Sequence, residues 1–248
     1  MIVTTQFVDV PFDDSVMRLF VAAPKQEGQY AGVLCYSDIF QLTAPMLRVC
    51  TRLAGYGFVV AAPEIYHRIE APGTVIAFDD DGRTRGLNDA AQTPVADFDE
   101  TARATLNYLT AHPQIARGKL AAAGFCIGGH LAFRAAFQKD VRATVCFYGT
   151  GIHNGALGKD ADAKSLARAA EIKGELLMIF GALDPHVPQA GRAIIEDALK
   201  EAGVNFSITL YEAEHAFMRD EGARYDPEAT DEAFGEAINF LRRIFSDH

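Results

Sequence analysis

Residues 119–137 read KLAAAGFCIGGHLAFRAAF, and the fold of the chain turns on this stretch. A short apolar run leads into a small-residue turn centred on Cys126, and Leu131, Phe133, Ala135, Ala136 and Phe137 continue it as a helix-like segment. The pattern predicts a strand, a sharp turn and a helix. Gly124, Cys126 and Gly128 fill the positions of the G-x-S-x-G nucleophile elbow, with a thiol in place of the hydroxyl. A nucleophile on so tight a turn takes strained backbone angles, and a Cβ two residues before or after it would collide with neighbouring chain. Gly129 leaves room for close helix packing. The turn also sets Cys126 at a helix N-terminus, where unpaired N–H groups and the positive dipole end attract negative charge. Two blander readings compete. A cysteine among small residues is commonly an inert core side chain. A glycine-rich strand-to-helix turn can also bind a dinucleotide, but the spacing here is not G-x-G-x-x-G and the turn falls near mid-chain.

Working outward, Ile2 to Val10 alternates apolar and polar residues, and Ser15 to Val21 reads as its partner across a turn at Pro11 to Asp14. Ala31 to Tyr36 (AGVLCY) is a continuous apolar run of the kind a buried parallel strand needs. Met46 to Ala54 reads as a helix ended by Gly55 and Gly57, and FVVAAP (58–63) as the next buried strand. Pro63 to Pro94 lacks clear periodicity and contains the acidic run Asp79 to Asp81, so it is expected to form a lid, a binding loop or a short helical excursion. Helical spacing returns over Val95 to Leu109. After the elbow, ATVCFY (143–148), ELLMIF (175–180) and FSITLY (206–211) read as strands, Gln189 to Ala202 as a helix, and about Glu228 to Phe245 as the final helix. Alternation of this kind predicts an α/β fold: a mostly parallel, doubly wound sheet with helices on both faces and an antiparallel N-terminal hairpin, in one domain over residues 1–248.

Composition narrows the function. A formal net charge of -10 over 248 residues, with no clustered Lys and Arg, argues against a nucleic-acid surface. The N-terminus has neither the basic start nor the apolar run of a signal peptide, and nowhere do about 18 uninterrupted apolar residues occur, so a cytoplasmic protein without membrane spans is expected. The four cysteines at 35, 50, 126 and 146 form no C-x-x-C pair, so neither disulfides nor a structural metal are expected. No patterned interface points to an oligomeric state.

In doubly wound sheets, chemistry collects beyond the carboxyl ends of the strands. Asp184 stands in GALDPHVP after one strand and His215 in EAEHAFMRD after the next. The chain order Cys126, Asp184, His215 is therefore nucleophile, acid, base. His186 is a rival base, yet it lies too near Asp184 in sequence to be oriented by it easily. Cys146 is a rival nucleophile, but it lacks an elbow and is expected in the core.

On G-F-C-I-G-G (124–129), G-A-L-D-P-H-V-P (181–188), Y-x-x-x-H-A-F (211–217) and A-P-E-I-Y (62–66), the chain resembles the dienelactone hydrolases, a cysteine-dependent branch of the α/β hydrolases. The resemblance runs from about Val10 to the final helix. It implies opening of a cyclic enol ester such as carboxymethylenebutenolide, without a cofactor. In this reading His215 accepts the thiol proton, Asp184 orients His215, and Cys126 forms a thioester that water releases. The backbone N–H groups of Ile39 and Ile127 are the expected oxyanion donors. A thiolate leaves a tetrahedral adduct readily, which favours enol esters, activated lactones and thioesters over simple alkyl esters.

The family's first-loop carboxylate is usually Glu; here it is Asp38, which either tunes the thiol or only caps the following helix. The resemblance also implies arginines for an anionic substrate: Arg219 by position, with Arg83 or Arg85 as the second. Tyr66 matches the family's P-E-I-Y, and Tyr66 and His67 either line the pocket or pack its loop. A broader carboxylesterase or thioesterase, and a thiol-sensing homologue without catalysis, are the alternative functions.

Overall fold

The structure, a computed structural model, describes residues 1–12 and 14–246. Asp13, in the predicted Pro11 to Asp14 turn, lies outside the described residues. Eight strands, β1 (Val3–Pro11), β2 (Val16–Pro24), β3 (Tyr30–Tyr36), β4 (Phe58–Pro63), β5 (Ile115–Phe125), β6 (Val141–Phe147), β7 (Glu175–Gly181) and β8 (Asn205–Tyr211), form one sheet in the order β1-β2-β4-β3-β5-β6-β7-β8. β2 pairs antiparallel with β1 and β4, and every other pairing is parallel. The helices are α1 (Ala44–Gly55), α2 (Asp80–Gln92), α3 (Val95–Ala111), α4 (Ile127–Ala135), α5 (Gln189–Glu201) and α6 (Pro227–Phe245).

The apolar runs of the central strands follow from burial on both faces of the sheet. Along β3, six of seven residues are buried. Leu34 and Tyr36 pack into one core with Leu106 of α3, Phe133 of α4 and Ile195 of α5. Val33 and Cys35 enter the other core with Leu53 of α1 and Leu241 of α6. A fully buried Leu or Phe contributes about 1.5–3 kcal/mol, so the two layers hold the strand ends on which the site is built. The last helix is locally well specified: the Asp226 carboxylate accepts a hydrogen bond from the Ala229 N–H at 3.0 Å, Pro227 opens the helix, and Arg242 and Arg243 sit in its last turn.

Within the aperiodic stretch Pro63 to Pro94 the structure has a full helix, α2. Its buried residues are Gly82, Gly86, Asp89 and Ala90, so no apolar stripe betrays it. The acidic run is its start signal: Asp79 accepts a hydrogen bond from the Gly82 N–H at 2.7 Å, and Asp80 and Asp81 fill the first turn. Gly86 lets the helix lie against the loop after β3, since a Cβ there would meet the Ile39 carbonyl oxygen at 2.4 Å.

Candidate active site

Cys126 stands between β5 and α4 with φ 59° and ψ −122°, a backbone conformation that costs a non-glycine residue on the order of 1–3 kcal/mol. The surroundings impose it. The Cys126 N–H donates to the Phe147 carbonyl at 3.1 Å, and its own carbonyl accepts from the Gly129 and Thr150 N–H groups at 3.0 and 3.2 Å. A Cβ on Gly124 would sit 1.9 Å from the Gly128 oxygen, one on Gly128 2.2 Å from the Ser37 oxygen, and one on Gly129 2.7 Å from Gly149 Cα. The glycines expected from the motif are thus required by backbone packed directly upon backbone.

The loop after β8 carries His215, and the loop after β7 carries Asp184. His215 Nδ1 lies 2.7 Å from Asp184 Oδ2, while Asp184 Oδ1 accepts the His186 N–H at 2.8 Å. Both residues are buried. The rings of Tyr148 and His186 stand edge-on to the imidazole at 5.2 and 4.7 Å between centroids, which fixes its plane. Burial opposes a proton on His215, but the charge of the Cys126 sulfur, hydrogen bonds to Asp184 and Cys126, and the Asp184 charge outweigh it and raise its pKa to about 9. Burial likewise opposes ionisation of Asp184, but its hydrogen bond to His215, the His215 charge and the His186 N–H together outweigh it and hold the carboxyl below its ordinary value. Cys126 and His215 line the same cavity, and Asp184 holds the far side of the imidazole.

A second charged pair lies beside them. Asp38 Oδ1 accepts the Phe40 N–H at 2.9 Å, and Oδ2 accepts Arg219 Nη1 at 3.0 Å. Burial raises the Asp38 pKa, with the Phe40 N–H and Arg219 opposing the shift. The guanidinium of Arg219 also covers the Phe78 ring at 3.8 Å. Ile127 opens α4, so its N–H belongs to the orphan donors of that helix, and the Ile39 N–H has no acceptor among the described residues.

Cys126, His215 and Asp38 line one cavity of about 730 Å³, together with Ile39, Ile127 and Arg219. Arg83 lines it as well. Arg85, the other candidate, turns away: its Nε donates to Glu70 Oε1 at 2.6 Å, because the next-but-one position on a helix faces a different side. Tyr66 is not in the lining either. It is almost fully buried, and its O–H donates to the Gly86 carbonyl at 3.2 Å, so it supports α2 from behind. His67 packs the same region, with Nδ1 2.8 Å from Ser15 Oγ and Nε2 3.1 Å from Thr101 Oγ1. Cys146 is wholly buried, and burial pushes its thiol pKa up.

His130, inside the opening motif, had no role assigned from the sequence. Its Nδ1 lies 3.0 Å from the Thr150 carbonyl and its Nε2 2.7 Å from Ser165 Oγ, so it braces the segment whose N–H holds the Cys126 carbonyl. Tyr148 carries no motif in the sequence beyond its place after β6, and its φ of 40° is a tertiary outcome. Among the described residues, no group of three or more His, Cys, Asp or Glu could hold a metal ion, and no helix is long and apolar enough to cross a membrane.

A mostly parallel eight-stranded sheet, with helices on both faces and a strained cysteine on the strand-to-helix elbow, defines an α/β hydrolase. The chain belongs to the dienelactone hydrolase family, whose model matches residues 17–245. It is similar to a carboxymethylenebutenolidase of a Pseudomonas species, with 30% identity across 86% of this chain and 84% of that one. It is also similar to a Saccharomyces cerevisiae protein that carries the same name provisionally, with 35% identity across 98% and 94%. A crystal structure from Klebsiella pneumoniae, provisionally called a dienelactone hydrolase, shares the fold with a TM-score of 0.86 at 24% identity, covering 98% of this chain and all of that one. The protein is thus a hydrolase of dienelactone hydrolase type, acting on esters.

Proposed function

We propose that Cys126, His215 and Asp184 form a catalytic triad that opens a small activated ester or lactone through a thioester. The reading rests chiefly on one arrangement: a cysteine held in strained geometry beside an imidazole whose far nitrogen is 2.7 Å from a buried carboxylate. His215 takes the thiol proton, and the sulfur attacks the carbonyl carbon while the carbonyl oxygen gains the charge. The Ile39 and Ile127 N–H groups, lacking other partners, receive that charge; one such donor contributes about 3 kcal/mol to the barrier reduction. The S–C bond stays as the C–O bond breaks, and the departing enolate or alkoxide takes the proton from His215. Water, deprotonated by His215, then displaces the thiolate and releases the acid.

An anionic group on the substrate would meet Arg83, which has no carboxylate partner among the described residues, whereas Arg219 is engaged by Asp38. Asp38 serves in this reading to hold Arg219 and the first loop beside the thiol. The enzyme works as a single domain in the cytoplasm, without a cofactor. Intact-protein mass spectrometry on a rapidly quenched reaction with an enol lactone tests the proposal: a lactone opened by Cys126 adds its whole mass, and Cys126→Ala abolishes both adduct and turnover. Turnover persisting in that variant removes the triad.

A further inference from the structure

The cavity is larger than a six-carbon lactone needs, and part of its lining is apolar. At about 730 Å³ it falls in the range of sites that enclose drug-sized ligands. Charged groups, among them Asp38, Arg83, Asp160 and Arg219, share the lining with an apolar arm: α2 contributes Leu87, Ala90 and Ala91, and the segment after β6 adds Ala156, Leu157 and Ala161. The two walls are stitched together at the far end of α2: the Lys159 N–H donates to the Thr93 carbonyl at 2.9 Å, and Asp160 Oδ2 accepts the Val95 N–H at 2.8 Å.

Arg83, Leu87, Ala90 and Ala91 are spaced i, i+4, i+7 and i+8, so they form a single stripe about 12 Å long at 1.5 Å per residue. Leu87 is 48% exposed although it borders this cavity, which leaves a large apolar side chain without protein to cover it. Asp38 and Arg219 neutralise each other, Arg83 stands at one end of the stripe, and at the other Asp160 puts a carboxylate beside the apolar arm, where an anionic group would be repelled and an uncharged one would not.

We infer that the natural substrate carries a bulky uncharged apolar group, aryl or branched aliphatic, that lies along Leu87, Ala91 and Leu157 while its activated carbonyl faces Cys126. The inference rests on the triad reading above and names the substrate class of that site. The reaction is unchanged: the sulfur bonds to the acyl carbon, and the enol oxygen leaves with the proton from His215.

Three esters test it: vinyl acetate, vinyl 3-phenylpropanoate with bulk on the acyl side, and 1-phenylvinyl acetate with bulk on the leaving side, each rate divided by that of hydroxide hydrolysis. At least one bulky ester is expected to exceed vinyl acetate by about tenfold or more in kcat/KM. Leu87→Asp and Ala91→Asp, both at exposed positions that the fold tolerates, should bring that ratio to within about twofold of unity, chiefly through KM. Turnover of vinyl acetate with no gain on either bulky ester overturns the inference and leaves the triad standing. A preference that survives both substitutions overturns it as well. Absence of Cys126 acylation by all three esters removes the triad and the inference together.

Discussion

At the elbow, a Cβ added to Gly124 or Gly128 would fall 1.9 or 2.2 Å from a backbone oxygen, whereas most of the cavity face of α2, from Arg83 through Leu87 to Ala91, is exposed side chain. One wall of the site is specified by backbone meeting backbone, and the other by what the cavity has to hold. Sequence motifs register the first kind of demand, because only glycine satisfies it. The second kind leaves residue types open, and so it can vary with substrate. Gly86 departs from this pattern: its close approach to the Ile39 carbonyl couples the adaptable wall to the rigid one.

The comparison is tested most severely at Cys126. Replacement by Ala should lower kcat/KM by at least about 10⁴-fold in steady-state assays, as loss of a nucleophile does elsewhere. In the same variant, NMR titration of His215 should show its pKa falling from about 9, since the sulfur's charge and hydrogen bond are among the main causes that raise it. An unchanged His215 titration would separate the sulfur from the imidazole and undo the proposed site. Gly128→Ala should destabilise the fold by roughly 3 kcal/mol or more in urea unfolding, because the new Cβ meets a backbone oxygen that cannot move aside.

The histidines give a pH dependence of stability. Burial, with the Arg134 charge adding, lowers the His130 pKa to about 3, and burial, with Arg68 adding, lowers that of His67 to about 4. Below pH 6.5 the unfolded chain binds protons that these native histidines refuse. Their stabilising contribution is therefore complete above 6.5 and lost as pH falls toward 3–4, at up to about 1.4 kcal/mol per pH unit for each. His215 acts in the opposite sense: its contribution is complete below 6.5 and is lost as pH rises through about 9. Denaturation midpoints measured from pH 4 to 10 should peak between these limits, and His215→Gln should flatten the alkaline limb.

The smallest effects distinguish two neighbours on α2. Arg83→Gln should raise KM for a carboxylate-bearing lactone by about tenfold with little change in unfolding free energy, the weight of one hydrogen-bonded charge. Arg85→Gln should leave KM alone and cost about 1 kcal/mol, because the Arg85 guanidinium is half exposed and water screens its pairing with Glu70. Equal KM effects at the two positions would deny α2 a defined cavity face.

Much of the site was legible beforehand. Strands β3, β4 and β7 announce themselves by apolar runs, and the proposed Cys126, Asp184 and His215 by standing after the ends of β5, β7 and β8 in the order the fold uses. These features are local, depending on side-chain period and on what a tight turn permits. The choice between Arg83 and Arg85, the burial of Tyr66 behind α2, the packing of α2 against the loop after β3 and the bracing by His130 were not legible. Each depends on residues tens of positions apart, such as Gly86 against Ile39 or His130 against Ser165, and no local pattern encodes such a meeting. The sequence by itself therefore determined the sheet, its elbow and which residues are proposed to react. Only the packing of distant segments decided the shape, volume and lining of the space in front of them.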